Sequence, residues 1–413
     1  MRPPILFIAQ SAPPRPAAAA RRLGQLLRWA RQYYRAVYLI RGDRDYPGAE
    51  VEGVTVFPIP LRDLRAVAGA KGSAGTLGQG HLPHRLTKPL RHLRQSFPFV
   101  LATDDGGVDY RRQAFAVAEE LITAHGIRTL VSSFRPWSDH LVARRLKRRF
   151  PHLHWIADFR DLPVDPIRRD VWWPGLQRWW SRRVVRAADE VWAVSEGQAA
   201  QLTYLRHPAV RVRRSLLERL PPARTAPVTD RFTIVYTGSL YPGLQSLDPL
   251  ITALLRLIDE QVIDPTNLLL RYAGKDAALF RAWTARLPPA CLDIHPLLAP
   301  ATAQTMQAEA QLLLLLNWSA PGYFGVLTAK LFDYLATGRP ILAIVNGPGD
   351  AELTEIIEGA DAGAVVGEGA GRLEELLRDW YRTWQQEGTL PWRPDRETLF
   401  PLLELPIPDT PAD

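Results

Sequence analysis

A single cysteine, Cys291, stands among the 413 residues, so no internal disulfide can form and the chain reads as one made for a reducing, cytoplasmic compartment. Long apolar runs are missing too. The densest, 312–316, is bounded by polar residues and falls far short of the ~20 residues a transmembrane helix needs. The apolar stretch 5–9 is too short for a signal-peptide core and reads as a first strand. There is no Gly-x-Ser-x-Gly, no Walker loop and no Gly-x-Gly-x-x-Gly after that strand, which removes the commonest hydrolase, P-loop and dinucleotide signatures. His81, His84, His92, His152 and His154 lack the Cys or carboxylate spacing of a zinc site, and no metal is expected.

Lysine is scarce, five against 46 arginines, a bias that explains the choice of Arg but not where it falls. Up to Leu220 there are 37 Lys and Arg against 19 Asp and Glu; beyond it there are 14 against 24, so the two parts carry +18 and −10. Such a gradient points the first part toward an anionic partner: a membrane surface, a phosphorylated acceptor or nucleic acid. Nucleic acid ranks last, because the basic residues are dispersed without a recognised module. Hydrophobic residues at 46% and charged residues at 23% are ordinary globular usage, which excludes a mostly disordered chain.

Short apolar runs at 5–9, 37–40, 54–58, 130–132, 154–157 and 191–194 predict strands, and patterns at 21–34, 112–125, 138–150 and 196–205 predict helices between several of them. A second alternating set follows. Strands are expected at 232–236, 268–273, 292–295, 312–316, 341–344 and 364–366, with helices at 247–261, 277–285, 301–310, 329–336 and 372–386. Alternation of this kind implies parallel sheets covered on both faces. The expected organisation is a Rossmann-like domain over 1–215 with an insertion or flap at 61–110, a linker at 216–231, a second Rossmann-like domain over 232–390 and a Pro-rich tail at 391–413.

Chemistry concentrates in 322–343. A glycine-containing turn around Gly325 opens a helix whose N-terminus suits a diphosphate; Thr328 is placed to cap it and Lys330 adds a charge in its first turn. Asp333, three residues on, shares that face and suits ribose hydroxyls. The spacing reads equally as a capped amphipathic helix with an intrahelical Lys–Asp pair. Asp158, Arg160 and Asp161 follow a strand, and either reach a ligand or satisfy one another as a salt-bridged turn. Arg135 and Trp137 follow the preceding strand. Trp137 is suited to stack on a sugar or to pack under its loop, and His140 reads as a core histidine. Trp172, Trp173, Trp179 and Trp180 stand among arginines, a mixture suited to bases, to a membrane interface or to one helix face.

The run Thr328-Ala-Lys-Leu-Phe-Asp-Tyr-Leu-Ala-Thr-Gly-Arg-Pro-Ile-Leu-Ala343 resembles the S/G-K-L-F-E-Y-L-A-x-G-x-P-I-L segment of family 4 glycosyltransferases. Tyr236-Thr-Gly-Ser-Leu-Tyr241 resembles that family's first C-domain strand and Gly-rich loop. Trp155-Ile-Ala-Asp-Phe-Arg-Asp161, followed by Ala188-Asp-Glu-Val-Trp-Ala-Val-Ser195, resembles a further strand end. The match spans roughly 100–370. It implies the GT-B architecture, two facing Rossmann-like α/β domains, and a retaining, metal-independent hexosyltransferase. By the same resemblance the donor is a nucleotide-diphosphate sugar used as co-substrate, with no other cofactor, held by Gly238, Ser239, Gly274, Pro296, Leu297, Gly325, Thr328, Lys330 and Asp333. The acceptor, a glycan, a lipid-phosphate or a small molecule, is expected on the side of Arg135 and Trp137, and Asp158, Arg160 and Asp161 are the catalytic candidates. The expected setting is polysaccharide synthesis in the cytoplasm, peripheral to the inner membrane face.

The sequence also departs from the pattern. Ser11-Ala-Pro-Pro-Arg-Pro replaces the usual Gly-Gly loop, Gly243-Leu-Gln-Ser246 replaces a Lys-Gly, and Gly325 stands where many members carry the first Glu of a Glu-x7-Glu pair. These departures keep two other readings open, a nucleotide-sugar epimerase of the same fold and a non-catalytic partner subunit.

Overall fold

The computed structural model describes every residue except 1, 16, 44–48, 62–91, 94, 105–106, 218, 222–228, 368–369, 391–393 and 404–413. Most of the expected insertion at 61–110 therefore lies outside the described residues. The chain divides into two compact units, one within Met1–Arg214 and one within Ser215–Glu404.

The first unit is built on seven strands: β1 (Ile5–Ile8), β2 (Val37–Asp43), β3 (Thr55–Pro60), β4 (Thr129–Phe134), β5 (His154–Phe159), β6 (Glu190–Ala193) and β7 (Val210–Val212). They lie in the order β3-β2-β1-β4-β5-β6-β7 and all pair in parallel. Every residue of β1, β4 and β6 is buried, polar Thr129, Ser132, Ser133 and Glu190 included, as in strands covered by helices on both faces. The strand β7 lies inside the expected first domain but is not among the predicted strands. Three residues around exposed Arg211 at a sheet edge carry too little alternation to be read as a strand.

The second unit repeats the plan with β8 (Phe232–Thr237), β9 (Leu268–Ala273), β10 (Leu292–His295), β11 (Leu312–Trp318), β12 (Ile341–Asn346) and β13 (Gly363–Val366), in the order β10-β9-β8-β11-β12-β13, again parallel. The five leucines of β11 are at most 2% exposed, and each contributes roughly 1.5–3 kcal/mol by burial. One face of this sheet is covered by helices Asp248–Asp259 and Ala370–Glu387, whose Leu254, Leu257, Leu377 and Tyr381 share a core with Phe232 and Leu314.

Described residues of the expected linker and of the Pro-rich tail pack into this unit. Leu217 and Leu399 are buried in the other core of this unit, and Leu217 N–H donates to the carbonyl of Leu402 at 2.8 Å. Apolar residues at 216–217, 399 and 402–403 outweigh the prolines around them.

Candidate functional site

A doubly wound sheet gathers strand ends at the point where the strand order reverses, and ligands of such sheets bind there. In the second unit the order reverses between β8 and β11; in the first, between β1 and β4. Each unit carries one polar cluster at that place.

In the second unit the cluster centres on Lys330, in the first turn of the short helix Ala329–Leu335. Its Nζ lies 4.0 Å from the Tyr236 ring centroid, donates to Tyr236 Oη at 2.5 Å and reaches the Ser239 carbonyl at 3.4 Å. No carboxylate among the described residues pairs with it, and burial pushes its pKa down from 10.5 to about 7. Gly238, at φ +116°, makes room: a Cβ there would sit 2.5 Å from Lys330 Cε. Gly274 does the same for backbone, since its Cβ would meet the Gly238 carbonyl at 2.2 Å. Tyr272 Oη donates to that carbonyl at 2.9 Å, and Asp276 accepts from Leu240 N–H at 2.9 Å, so the loop after β8 is tied to the end of β9.

Gly325, at φ +71°, is fixed from another direction. Its N–H donates to Asp350 at 2.8 Å, while the Asn317 amide holds the Val326 carbonyl at 3.1 Å. Thr328 does not cap as expected. It occupies the N-cap position, but the first-turn N–H of Leu331 bonds to its carbonyl, and its hydroxyl is buried without a partner. Asp333 is half-buried on the same helix. Pro296 and Leu297 follow β10 and are exposed, Leu297 to 73%.

In the first unit the three candidates of β5 separate. Asp158 is fully buried, paired with Arg22 at 2.6 Å and bonded by Ser133 Oγ at 2.9 Å. Arg160 is also inward: it donates to Ser133 Oγ at 3.1 Å and to the Arg135 carbonyl, and its Nε lies 4.0 Å from Asp161. Asp161 alone opens to solvent, with its side chain 41% exposed. The salt-bridged turn is thus half realised, because Asp158 takes its partner from helix Ala18–Tyr33 instead of from Arg160.

Beside them Asp139 is wholly buried. It accepts from Gln10 N–H at 2.9 Å and Tyr110 Oη at 2.7 Å, and burial pushes its pKa up to about 8, so it keeps its proton at neutral pH. His140 is buried and neutral, pushed down to about 3, with Ser132 Oγ at 2.7 Å. Trp137 is 3% exposed and packs against Trp180 at 4.5 Å and Phe134 at 4.7 Å. With Arg135, Asp104 and Gln95 it also lines a cavity of about 30 Å³, room for a water or two. Arg135 pairs with Asp170 at 3.1 Å.

The same fold occurs in solved structures. A sucrose-phosphate synthase from Thermosynechococcus elongatus superposes with a TM-score of 0.58 at 13% identity, over 98% of this chain and 95% of that one. A glycosyltransferase from Rickettsia africae does so with 0.56 at 11%, over 98% and 94%. The fold is GT-B. No family model and no curated protein matches the sequence.

Within this GT-B fold, sequence reasoning missed the partners that set the candidates: Arg22, Ser133, Tyr110 and Asp139 in one unit, Tyr236, Tyr272, Asn317 and Asp350 in the other. Arg22 reads as an ordinary helix charge, and no spacing relates it to a residue 136 positions away. Among the described residues no three or more His, Cys, Asp or Glu side chains cluster as metal ligands, and no helix is long and apolar enough to cross a membrane.

Proposed function

We propose that the protein is a retaining glycosyltransferase of family 4 that moves a sugar from a nucleotide-diphosphate sugar to an acceptor used in cell-surface polysaccharide synthesis. The acceptor is a glycan, a lipid-phosphate or a small molecule. The reading places the enzyme in the cytoplasm at an anionic membrane face, with the donor as co-substrate and no other cofactor or metal. The observation that carries it is Lys330, a half-buried amine held over a tyrosine ring with no carboxylate within ion-pair distance among the described residues, at the switch point of a GT-B unit. A cation kept in that state is costly, and a diphosphate would recover the cost.

In this reading Lys330 meets the donor phosphates and the negative charge that grows on the leaving diphosphate as the anomeric C–O bond breaks. Gly238, Gly274 and Gly325 let backbone approach it, Ser239 and Thr328 line the approach, and the Thr328 hydroxyl, without a partner among the described residues, gains one. Asp333 accepts from ribose, and Pro296 and Leu297 offer exposed apolar surface to the base. On the first unit Asp161 is the group for an acceptor hydroxyl. Arg160, held by Ser133 and backbone, positions it, and Asp158 acts further back through Ser133. Arg135 and Trp137 shape the acceptor side by fixing the loop after β4.

A thermal-shift panel of UDP, GDP, ADP and TDP sugars tests the donor, since ligand bound to the folded state raises its stability. One sugar nucleotide should raise the transition and be consumed only when an acceptor is added. Turnover without an acceptor would make the protein an epimerase, and binding of none of the four would make it a non-catalytic relative.

A further inference from the structure

We infer that the first unit docks onto an anionic lipid surface through one preformed face, made of Phe99, Trp172, Trp173, Leu176 and Trp179 with the arginines of helix Pro174–Val185. The inference rests on the reading of an anionic membrane as partner and assigns that partner a face.

Eight large hydrophobic side chains are exposed among the described residues, and these five are contiguous. The Phe99 ring lies 6.2 and 6.1 Å from those of Trp172 and Trp173, which are 5.8 Å apart; Leu176 and Trp179 follow at three-residue spacing. Trp179 is the most open of them at 55%. The helix turns Gln177, Trp180, Ser181, Val184 and Val185 inward, so its opposite face is left with Leu176, Trp179 and arginines. The face is also held rigid. Phe97 N–H donates to Gln177 at 2.8 Å, and Trp172 N–H donates to Ser96 Oγ at 2.9 Å, which ties the turn bearing Phe99 to the start of the helix.

Charge decides what covers it. Between residues 168 and 188 every exposed ionisable side chain is an arginine: Arg168, Arg169, Arg178, Arg182, Arg183 and Arg186. Asp170, the lone acid of that stretch, is buried against Arg135. A second copy of the chain across a two-fold axis would oppose these arginines to themselves. Successive bases stack best on rings of similar tilt, whereas Trp172 meets Phe99 at 89° and Trp173 at 70°, and only Phe99 and Trp173, at 32°, come near to it. A bilayer surface matches both components: tryptophan settles at headgroup depth, and guanidinium groups fork onto phosphates while their stems lie along apolar surface. The segment 160–173 leads from the end of β5 straight into this face, and the Arg135–Asp170 pair ties it to the loop after β4, so a lipid-borne acceptor would meet the unit on the side of its candidate residues.

Co-sedimentation of the full chain with vesicles tests this, using phosphatidylcholine alone and with roughly one third phosphatidylglycerol, at ~0.1 M and ~1 M salt. The wild type should bind only the anionic vesicles at low salt. Binding should fall about ten-fold or more in Trp173→Ala/Trp179→Ala and in Arg182→Glu/Arg183→Glu, but not in Arg281→Glu/Arg286→Glu, which makes the same charge change on the second unit. Brominated lipid should quench tryptophan fluorescence of the unaltered protein, a readout independent of how the variants fold. Unchanged binding of both first-unit variants would overturn the face and leave the anionic partner standing. Absence of wild-type binding to any vesicle, or retention by single-stranded RNA instead, would overturn both. Donor binding in the thermal-shift panel is unaffected by either outcome.

Discussion

At the scale of single residues, a buried acid and its exposed neighbour behave oppositely. Asp158 and Arg22 are 0% and 6% exposed, so removing one strands the other: Asp158→Ala should cost about 3–5 kcal/mol in denaturant unfolding. Asp161→Asn, on the exposed neighbour, should change stability by less than ~0.5 kcal/mol while lowering turnover. Lys330 gives a pH signature. Its folded pKa of about 7 lies below the ordinary 10.5, so between those values the unfolded chain holds a proton that the folded one lacks. Stability of the unliganded protein should therefore rise with pH across that window, and Lys330→Met should flatten the rise. Donor affinity should run the other way, weakening as pH passes upward through about 7, because a diphosphate requires the ammonium. A titration of dissociation constant against pH that is level in the wild type would contradict the phosphate role.

At the scale of elements, the loop after β8 is set by two glycines in contact with each other's surroundings. Gly274→Ala places a methyl 2.2 Å from the Gly238 carbonyl and 2.3 Å from Tyr272 Oη, which must push the ends of β8 and β9 apart. A loss of roughly 1–3 kcal/mol is expected, as in overpacked cores, together with weakened donor binding, because Lys330 bonds to Ser239 in the displaced loop. Calorimetry and the ligand-shift assay on the same sample check both. The helix Ala329–Leu335 was legible from its Lys-Leu-Phe-Asp-Tyr periodicity; the failure of Thr328 to cap it was not, because a hydroxyl's partner depends on the backbone angles of the turn before it.

At the scale of the whole molecule, the two units have separate cores and opposite charge. Calorimetry should resolve two transitions if the units melt independently, and a donor nucleotide should raise only that of the second unit, by ~2.7 kcal/mol at 100-fold excess over its dissociation constant. A donor-induced rise in the first unit's transition alone would move the nucleotide site to the other sheet.

Strand-helix alternation, the absence of long apolar runs and the continuous burial signal of 312–316 were sufficient in the sequence alone to determine two parallel α/β units, since a segment's period and apolarity are local properties of the chain. Lys330, Gly238 and Asp161 stood out there as well, through local motifs. What tertiary structure decided is which charges are spent and which remain available. Asp158 on β5 is consumed by Arg22 from helix Ala18–Tyr33, Arg160 is turned inward while Asp161 stays open, and Phe99 joins Trp172 and Trp173 across more than seventy residues. Pairing and exposure depend on groups brought together from distant positions, and no local pattern records those distances.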